Sequence, residues 1–565
     1  MLVRVALVAV ALCASAASGA FAQENQTDPA RTSLNHNDSL SHDGSESPRI
    51  EERTLADLET GMDAFVLSAS QSRTRIHFYL PPNTSSSEAW LRLAARPASD
   101  HSNGRILVAV NGGEPIVIRP QPRSLEARFA LFSADILPGE NTLEVSYSVD
   151  SATTGWIVDA RRSQLRLTLE QDSPIASLEE LELALAADFA APRRIALITD
   201  ISRERATLES LVAQGVALRA GNVPLFGGDA DNADLVIRIA ENDRLDGEDR
   251  AILRTGDRSQ GPEIAFSGGE TPRLVVTGRN IDEAVAAGRL FAARSFAGYG
   301  RSFVAADAIT AERLGRPQVR DARLLSRNAD LRTFAASGLP FSADQGSRTA
   351  VQFTTRTRSD RFGALSVLAR SALTSGEAWL YAWYGEENDQ APANHNLLII
   401  GPDSTGIDVL SRNAPAEFGA AMRAAERSRG QRGLMRLAAA AYADESVREA
   451  TPEDSTSIGV ASLFRDPQQP SRWIATLTSP EMSSFESAGR SLARSNLWHA
   501  LEGRAAVWSV RGVTPLDYSV SAPGVRERVQ EFALDHTRDA AFMLFGIAFI
   551  MLIRGIWRRR RVHAS

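Results

Sequence analysis

PRLVVTGRNIDEAVAAGRLFA, residues 272–292, reads in three parts. A short β-rich run comes first. A polar break follows, with Asn280 placed to cap a helix. An Ala-rich amphipathic helix completes it. The same order recurs in WIATLTSPEMSSFESAGRSLA, residues 473–493. A strand leading straight into such a helix, twice in one chain, points to a duplicated α/β unit. The flanking sequence agrees. Between residues 174 and 312, the strand-like RIALITD, ADLVIRIA, PEIAFSG and PRLVVTG alternate with helical stretches such as RERATLESLVAQGVALRAG. Between 349 and 522, AVQFTTR, AWLYAWYG, NLLIIGP, IGVASLF, RWIATLTS and RAAVWSV do the same. Alternation of this kind argues two α/β domains, each with a mainly parallel sheet. The stretch 313–348 between them is irregular and reads as a connector.

Residues 53–170 have a different texture. TRIHFYL, EAWLRLAA, RILVAVNGGEPIVIR, EARFALF and NTLEVSYSV are short and β-rich, separated by turn residues. Asn111-Gly112-Gly113 marks a hairpin, and Pro138-Gly139-Glu140-Asn141 another turn. A β-sandwich or jelly roll is expected here.

The two ends carry export and membrane signals. Arg4, an apolar run from Val5 to Ala17 and Ala20-Phe21-Ala22 make a signal peptide over 1–22. Cys13, the only cysteine, lies within it, so the mature chain has neither disulfide nor thiol chemistry. Residues 23–52 are polar and are expected to be a disordered lead. At the other end, Ala540–Ile553 is 14 uncharged residues, short for a span. Arg554 can snorkel. Ala540–Trp557 then reaches about 27 Å, close to the bilayer's hydrocarbon thickness. Arg558, Arg559, Arg560 and Arg561 follow and place residues 558–565 in the cytoplasm. The rest of the mature chain then lies on the side to which the signal peptide exports it. Within residues 523–539, Val525, Val529 and Phe532 share a helical face, as in an amphipathic helix lying on the outer membrane–water interface. Gly546 and Ala548 are small enough for close approach of a partner helix.

Composition narrows the chemistry. The 565 residues carry a formal charge of −7, which gives no reason to expect nucleic acid. There is no lysine, so Schiff-base chemistry and a P-loop lysine are excluded. Nucleotide, zinc-protease and serine-hydrolase signatures are missing, the histidines are scattered, and no carboxylate pair stands out. No catalytic residue, metal ligand or cofactor is assigned. Gly268-Gly269 and Gly385 could line loops at strand ends, where α/β sheets bind ligands. Tyr79, Trp90, Tyr147 and Trp156 in the β-region could offer rings to a sugar's C–H faces; the competing reading is core packing. In one strand, Trp379, Tyr381 and Trp383 would share a face opposite Tyr384.

Taken in order, these parts resemble the bacterial cellulose synthase B subunit family. ILVAVNGGEPIVI (106–118), ILPGENTLEVSY (136–147) and GWIVDARRSQLRL (155–167) are similar to segments of that family's first carbohydrate-binding-like domain. PRLVVTGRNIDEAVAAGRLFA and SNLWHALEGRAAVWS (495–509) resemble the ends of its two flavodoxin-like domains. Two departures mark a shortened or divergent member. The 313–348 connector leaves no room for the family's second jelly roll, and the mature chain lacks the cysteines often found in the first domain. The resemblance implies a non-catalytic, inner-membrane, single-pass subunit with its bulk in the periplasm. Such a subunit supports a family-2 glycosyltransferase, the cellulose synthase catalytic subunit, and guides the nascent β-glucan. It also brings the family's cyclic di-GMP label, although that nucleotide is made on the other side of the membrane. The alternatives are a membrane-anchored periplasmic glycan hydrolase and a glycan-binding adhesin.

Overall fold

A computed structural model describes residues 48–516, leaving out short segments and the longer stretches 316–328 and 427–457. The signal peptide, most of the lead, and residues 523–565 with Phe532, Gly546, Ala548, Arg554, Trp557, Arg558 and Arg559 lie outside the described residues. Among the described residues no helix is long and apolar enough to cross a membrane.

The β-region is an antiparallel sandwich. One sheet runs Arg49–Thr54, Gln164–Gln171, Thr84–Pro97, Trp156–Asp159, Ala64–Leu67, with Leu125–Leu131 also paired to Thr84–Pro97. The other runs Arg73–Leu80, Gly139–Ser148, Arg105–Val110, Ile116–Ile118. Alternation places one side of each strand inward: in Arg73–Leu80, Thr74, Ile76, Phe78 and Leu80 are buried and the residues between them exposed. The expected hairpin forms at Asn111, which adopts φ 50°, and the Asn111 side chain does more than turn the chain. Its amide donates to Asn141 Oδ1 at 2.8 Å, and its carbonyl accepts from Thr142 N at 2.8 Å. The two turns expected from the sequence are thereby tied to each other.

The sandwich begins earlier than expected. Arg49–Thr54, assigned mostly to the lead, is an edge strand in register with Gln164–Gln171. Its alternation is hidden because the inward residue is Glu51, which accepts from Ala190 N at 3.0 Å and pairs with Arg53 at 2.7 Å.

Each α/β unit is built on one sheet, and the two sheets match strand for strand. The first follows the order Leu225–Gly227, Arg194–Thr199, Leu235–Glu241, Arg273–Gly278, Glu263–Ser267, Ser302–Val304. The second follows Trp383–Glu386, Thr349–Phe353, Asn396–Pro402, Trp473–Ser479, Ile458–Arg465, Ala505–Ser509, plus Gly512–Pro515 at its edge. Numbered along the chain within each unit, both orders are 2-1-3-5-4-6. Strands 1, 2, 3 and 5 are parallel; strand 4 is antiparallel to strands 5 and 6. The flavodoxin-like order 2-1-3-4-5 is shared only over its first three strands. The difference is set by connection length. Only residues 268–272 link strand 4 to strand 5 in the first unit, and 466–472 in the second. A hairpin can close over such a distance; a parallel crossover cannot.

The connector is ordered at its C-terminal end. Leu331–Ser337 is a helix capped by Asp330, which accepts from Thr333 N at 2.8 Å. Its Phe334 packs against Phe341 and Trp498, at 5.5 and 5.4 Å between ring centroids, inside the second unit's core. AWLYAWYG is a strand only over Trp383–Glu386; Trp379 precedes it and is fully buried.

The repeated Ala-Gly-Arg of the opening stretch has a packing role. In each unit the helix after strand 1 crosses the helix after strand 5. In the second unit, Arg358–Ser375 meets Phe485–Leu492 so closely that a Cβ on Gly489 would fall 2.6 Å from Gly363 O. In the first, Arg205–Ala220 meets Ile281–Ala292, and a Cβ on Gly288 would face the tip of the Leu208 side chain at 2.9 Å. Backbone cannot give way as a leucine methyl can. Gly489→Ala is expected to destabilise by roughly 1–2 kcal/mol, because overpacking at about 1–3 kcal/mol outweighs the ~1 kcal/mol gain in helix propensity. Gly288→Ala is expected to be near neutral. Thermal unfolding of the two variants checks this; equal melting temperatures would contradict the contact.

Candidate functional site: an arginine-lined cleft between the two α/β units

The two units share a buried polar seam. Gln214, fully buried, donates to Tyr384 Oη at 2.9 Å and accepts from Trp379 N at 2.9 Å, and Tyr384 Oη donates to Trp379 O at 2.6 Å. Burial pushes the Tyr384 hydroxyl well above its ordinary pKa, so it stays neutral. Beside this lies an ionic cluster. Glu209 and Arg361 are 2 % and 5 % exposed. Arg361 Nε donates to Glu209 Oε2 at 3.0 Å, and Arg205 Nε to Glu209 Oε1 at 2.9 Å. Arg361 Nη1 donates to Glu386 Oε2 at 3.3 Å, and the guanidinium lies 3.8 Å from the centroid of the Phe353 ring. Burial raises the Glu386 pKa, with Arg361 opposing the shift.

This cluster floors a cleft of about 930 Å³. The cleft opens at the carboxyl ends of strand 1 in both units, where Arg194–Thr199 hands over to the helix Arg205–Ala220, and Thr349–Phe353 to the helix Arg358–Ser375. Five arginines and three carboxylates line it: Arg203, Arg205, Arg356, Arg358 and Arg361 against Glu204, Glu386 and Asp389. The acids are engaged within the protein. Glu204 accepts from Thr207 Oγ1 at 2.8 Å, Glu386 pairs with Arg361, and Asp389 accepts from Glu386 N at 2.7 Å. Arg358 ties the walls together by donating to Leu197 O at 3.0 Å. Arg203 makes no hydrogen bond or ion pair among the described residues. Trp383 lines the cleft and is half-buried.

The first pair of wall arginines mirrors the second. Arg203-Glu204-Arg205 and Arg356-Thr357-Arg358 each straddle a helix N-cap, Glu204 in one unit and Thr357 in the other. Thr357 Oγ1 accepts from Asp360 N at 3.1 Å; Glu204 makes no cap bond and sits in the left-handed region at φ 59°. The motif was readable in the sequence as Arg-x-Arg shortly after strand 1 of each repeat, but only once the two units are aligned from their first strands.

The expected glycan-facing aromatics divide. Tyr147 and Trp156 are 5 % and 1 % exposed in the sandwich core, so neither offers a ring to a ligand. Tyr79 is 43 % exposed, and Trp90 is half-buried beneath Arg128, 4.8 Å from the ring centroid. These two lie on different sheets and do not form a common platform. Gly385 is covered by the Trp383 indole, with the place of a Cβ only 2.1 Å from the ring, and Gly268 abuts Ile175 O. Neither glycine opens a loop. Among the described residues there is no group of three or more metal-ligating side chains.

The sequence matches no protein-family model and no curated protein. Among solved structures, the chain has a distant likeness to the CBM35 module of Cellvibrio japonicus Abf62, at 15 % identity over 18 % of this chain and 70 % of that one, with a TM-score of 0.14. Dimeric latent PorU from Porphyromonas gingivalis matches at 17 % identity over 24 % of this chain and 14 % of its own, TM-score 0.16. The Podospora anserina GH26-CBM35 β-(1,4)-mannanase matches at 10 % identity over 35 % and 42 %, TM-score 0.14.

Removing one partner of the buried ion cluster leaves a charge without water. Arg361→Met is expected to cost about 3–5 kcal/mol, because Glu209 stays buried and keeps only Arg205. Glu209→Gln combined with Arg361→Met should lose clearly less than the two single losses summed. A double-mutant cycle on thermal unfolding reads this, and simple additivity would show that the pair is not coupled.

Proposed function

We propose that this chain is the non-catalytic, membrane-anchored accessory subunit of an envelope β-glucan synthase, cellulose or a related exopolysaccharide being the product. The observation that carries the reading is the order of parts. An export signal leads, a β-sandwich follows, two α/β units of one topology come next, and an apolar segment backed by Arg558–Arg561 closes the chain. Locking two α/β units through Gln214, Tyr384, Glu209 and Arg361 gives a stiff body. Stiffness suits a support held against a membrane-embedded glycosyltransferase. In this reading the periplasmic sandwich guides the glucan, with Tyr79 and Trp90 the accessible rings of the four aromatics expected there. Gly546 and Ala548 meet the synthase helices. Arg554, Trp557, Arg558 and Arg559 set the depth and direction of the span. Cyclic di-GMP enters only through the family resemblance; in this topology the described domains are separated from it by the membrane.

The test is co-purification in detergent with a family-2 glycosyltransferase from the same cell. The full chain is expected to hold the synthase, and a chain ending at residue 539 to lose it and leave the membrane fraction. Release of products from glucans by the purified full chain, with no synthase attached, would instead favour the anchored hydrolase.

A further inference from the structure

We infer that the arginine-lined cleft between the α/β units binds an acidic saccharide, its carboxylate or phosphate held by the paired Arg-x-Arg motifs and its ring set against Trp383. This site goes beyond the accessory-subunit reading and stands without it.

Electrostatics is the first ground. A helix N-terminus carries the positive end of the macrodipole and disfavours cations. Arg203, Arg205, Arg356 and Arg358 nonetheless flank the N-caps of two long helices that open on one cleft. Arg205 is paired with Glu209, Arg356 with Glu387 at 3.6 Å, and Arg358 donates to Leu197 O. Arg203 has no such partner among the described residues, and an anion in the cleft satisfies both the arginines and the helix ends.

Unmet hydrogen-bonding capacity is the second. Arg361, 5 % exposed, lines the cleft with an Nη2 that makes no hydrogen bond; it lies 3.0 Å from Glu386 Oε1 but out of line for one. Thr199 Oγ1, at the end of strand 1, is also buried without a partner and lines the same cleft. Buried polar atoms left without a hydrogen bond are uncommon, and both of these belong to residues that line the cleft.

Size and lining give the class. About 930 Å³ lies within the range of small-ligand pockets and is far more than a bare phosphate needs. Trp383 offers an indole to a sugar's C–H face, whereas Tyr384, the other lining aromatic, is buried with its hydroxyl bonded to Trp379 O.

The experiment uses the full chain in detergent and titration calorimetry with four probes: a glucuronate tetrasaccharide, glucose 6-phosphate, neutral cellotetraose and inorganic phosphate. At least one acidic sugar is expected to bind at least tenfold tighter than cellotetraose and than inorganic phosphate, and to weaken as salt is raised. Which acidic sugar binds better tells carboxylate from phosphate. Arg203→Ala/Arg356→Ala, both exposed positions, should remove the tenfold preference while leaving thermal unfolding unchanged. Equal binding of cellotetraose, inorganic phosphate as tight as either sugar, or a double variant that binds like the parent would each overturn the assignment. Synthase co-purification is a separate readout, so failure here leaves the accessory-subunit reading standing, and the reverse holds as well.

Discussion

The ion pair of Arg361 with Glu209 is the constraint on which the α/β half of the molecule rests. Two charges that are each about nineteen-twentieths removed from water are tolerated only when each finds the other and further donors complete the set. Here the partners come from different units, so neither unit can bury its own charge alone. Gln214 repeats the logic with neutral groups: its amide completes the hydrogen bonding of Trp379 and Tyr384 across the same boundary. Apolar contacts surround both. Phe362, Leu365 and Ala369 of the second unit belong to the same buried cluster as Leu208 and Val212 of the first. The two units therefore form one body, and the cleft above the seam inherits fixed walls.

Duplication and seam are connected. Because both units share the 2-1-3-5-4-6 order, each presents the same element at the boundary, the helix that follows strand 1. Placing those helices side by side brings the carboxyl ends of both first strands to one place, and with them both Arg-x-Arg motifs. Four of the five arginines lining the site thus arise from a single motif used twice. The cost of crowding cations is offset in part by Glu209 and Glu386 below them.

Much of this architecture was legible in the amino-acid order. Residues 272–292 and their echo at 473–493 disclose the duplication, since a strand, a cap and an amphipathic helix have distinct periods. The antiparallel fourth strand was also legible, because Gly268–Pro272 is too short for a crossover. So was the fate of the four aromatics. Tyr147 shares its face with Leu143 and Val145, and Trp156 with Val158, which places both inward; Tyr79 follows Arg75 and His77, and Trp90 sits between Glu88 and Arg92. The seam was not legible. Glu209, Ser210 and Gln214 read as the wet side of an amphipathic helix, yet that side is covered by the other unit, and nothing local distinguishes water from a partner that arrives 150 residues later. The Arg49–Thr54 strand was hidden for a related reason: Glu51 occupies the position where an apolar residue would have betrayed the alternation.

Hydrogen exchange at the Trp379 amide tests the seam most directly, because that N–H, on a fully buried residue, donates across the boundary to Gln214 Oε1. In the full chain it is expected to exchange as slowly as the buried inner strand Thr349–Phe353, and Gln214→Ala is expected to release it while the sandwich strands keep their protection. Fast exchange at Trp379 in the unaltered protein, at the rate of an open loop, would contradict a locked pair of α/β units and the fixed cleft built upon it.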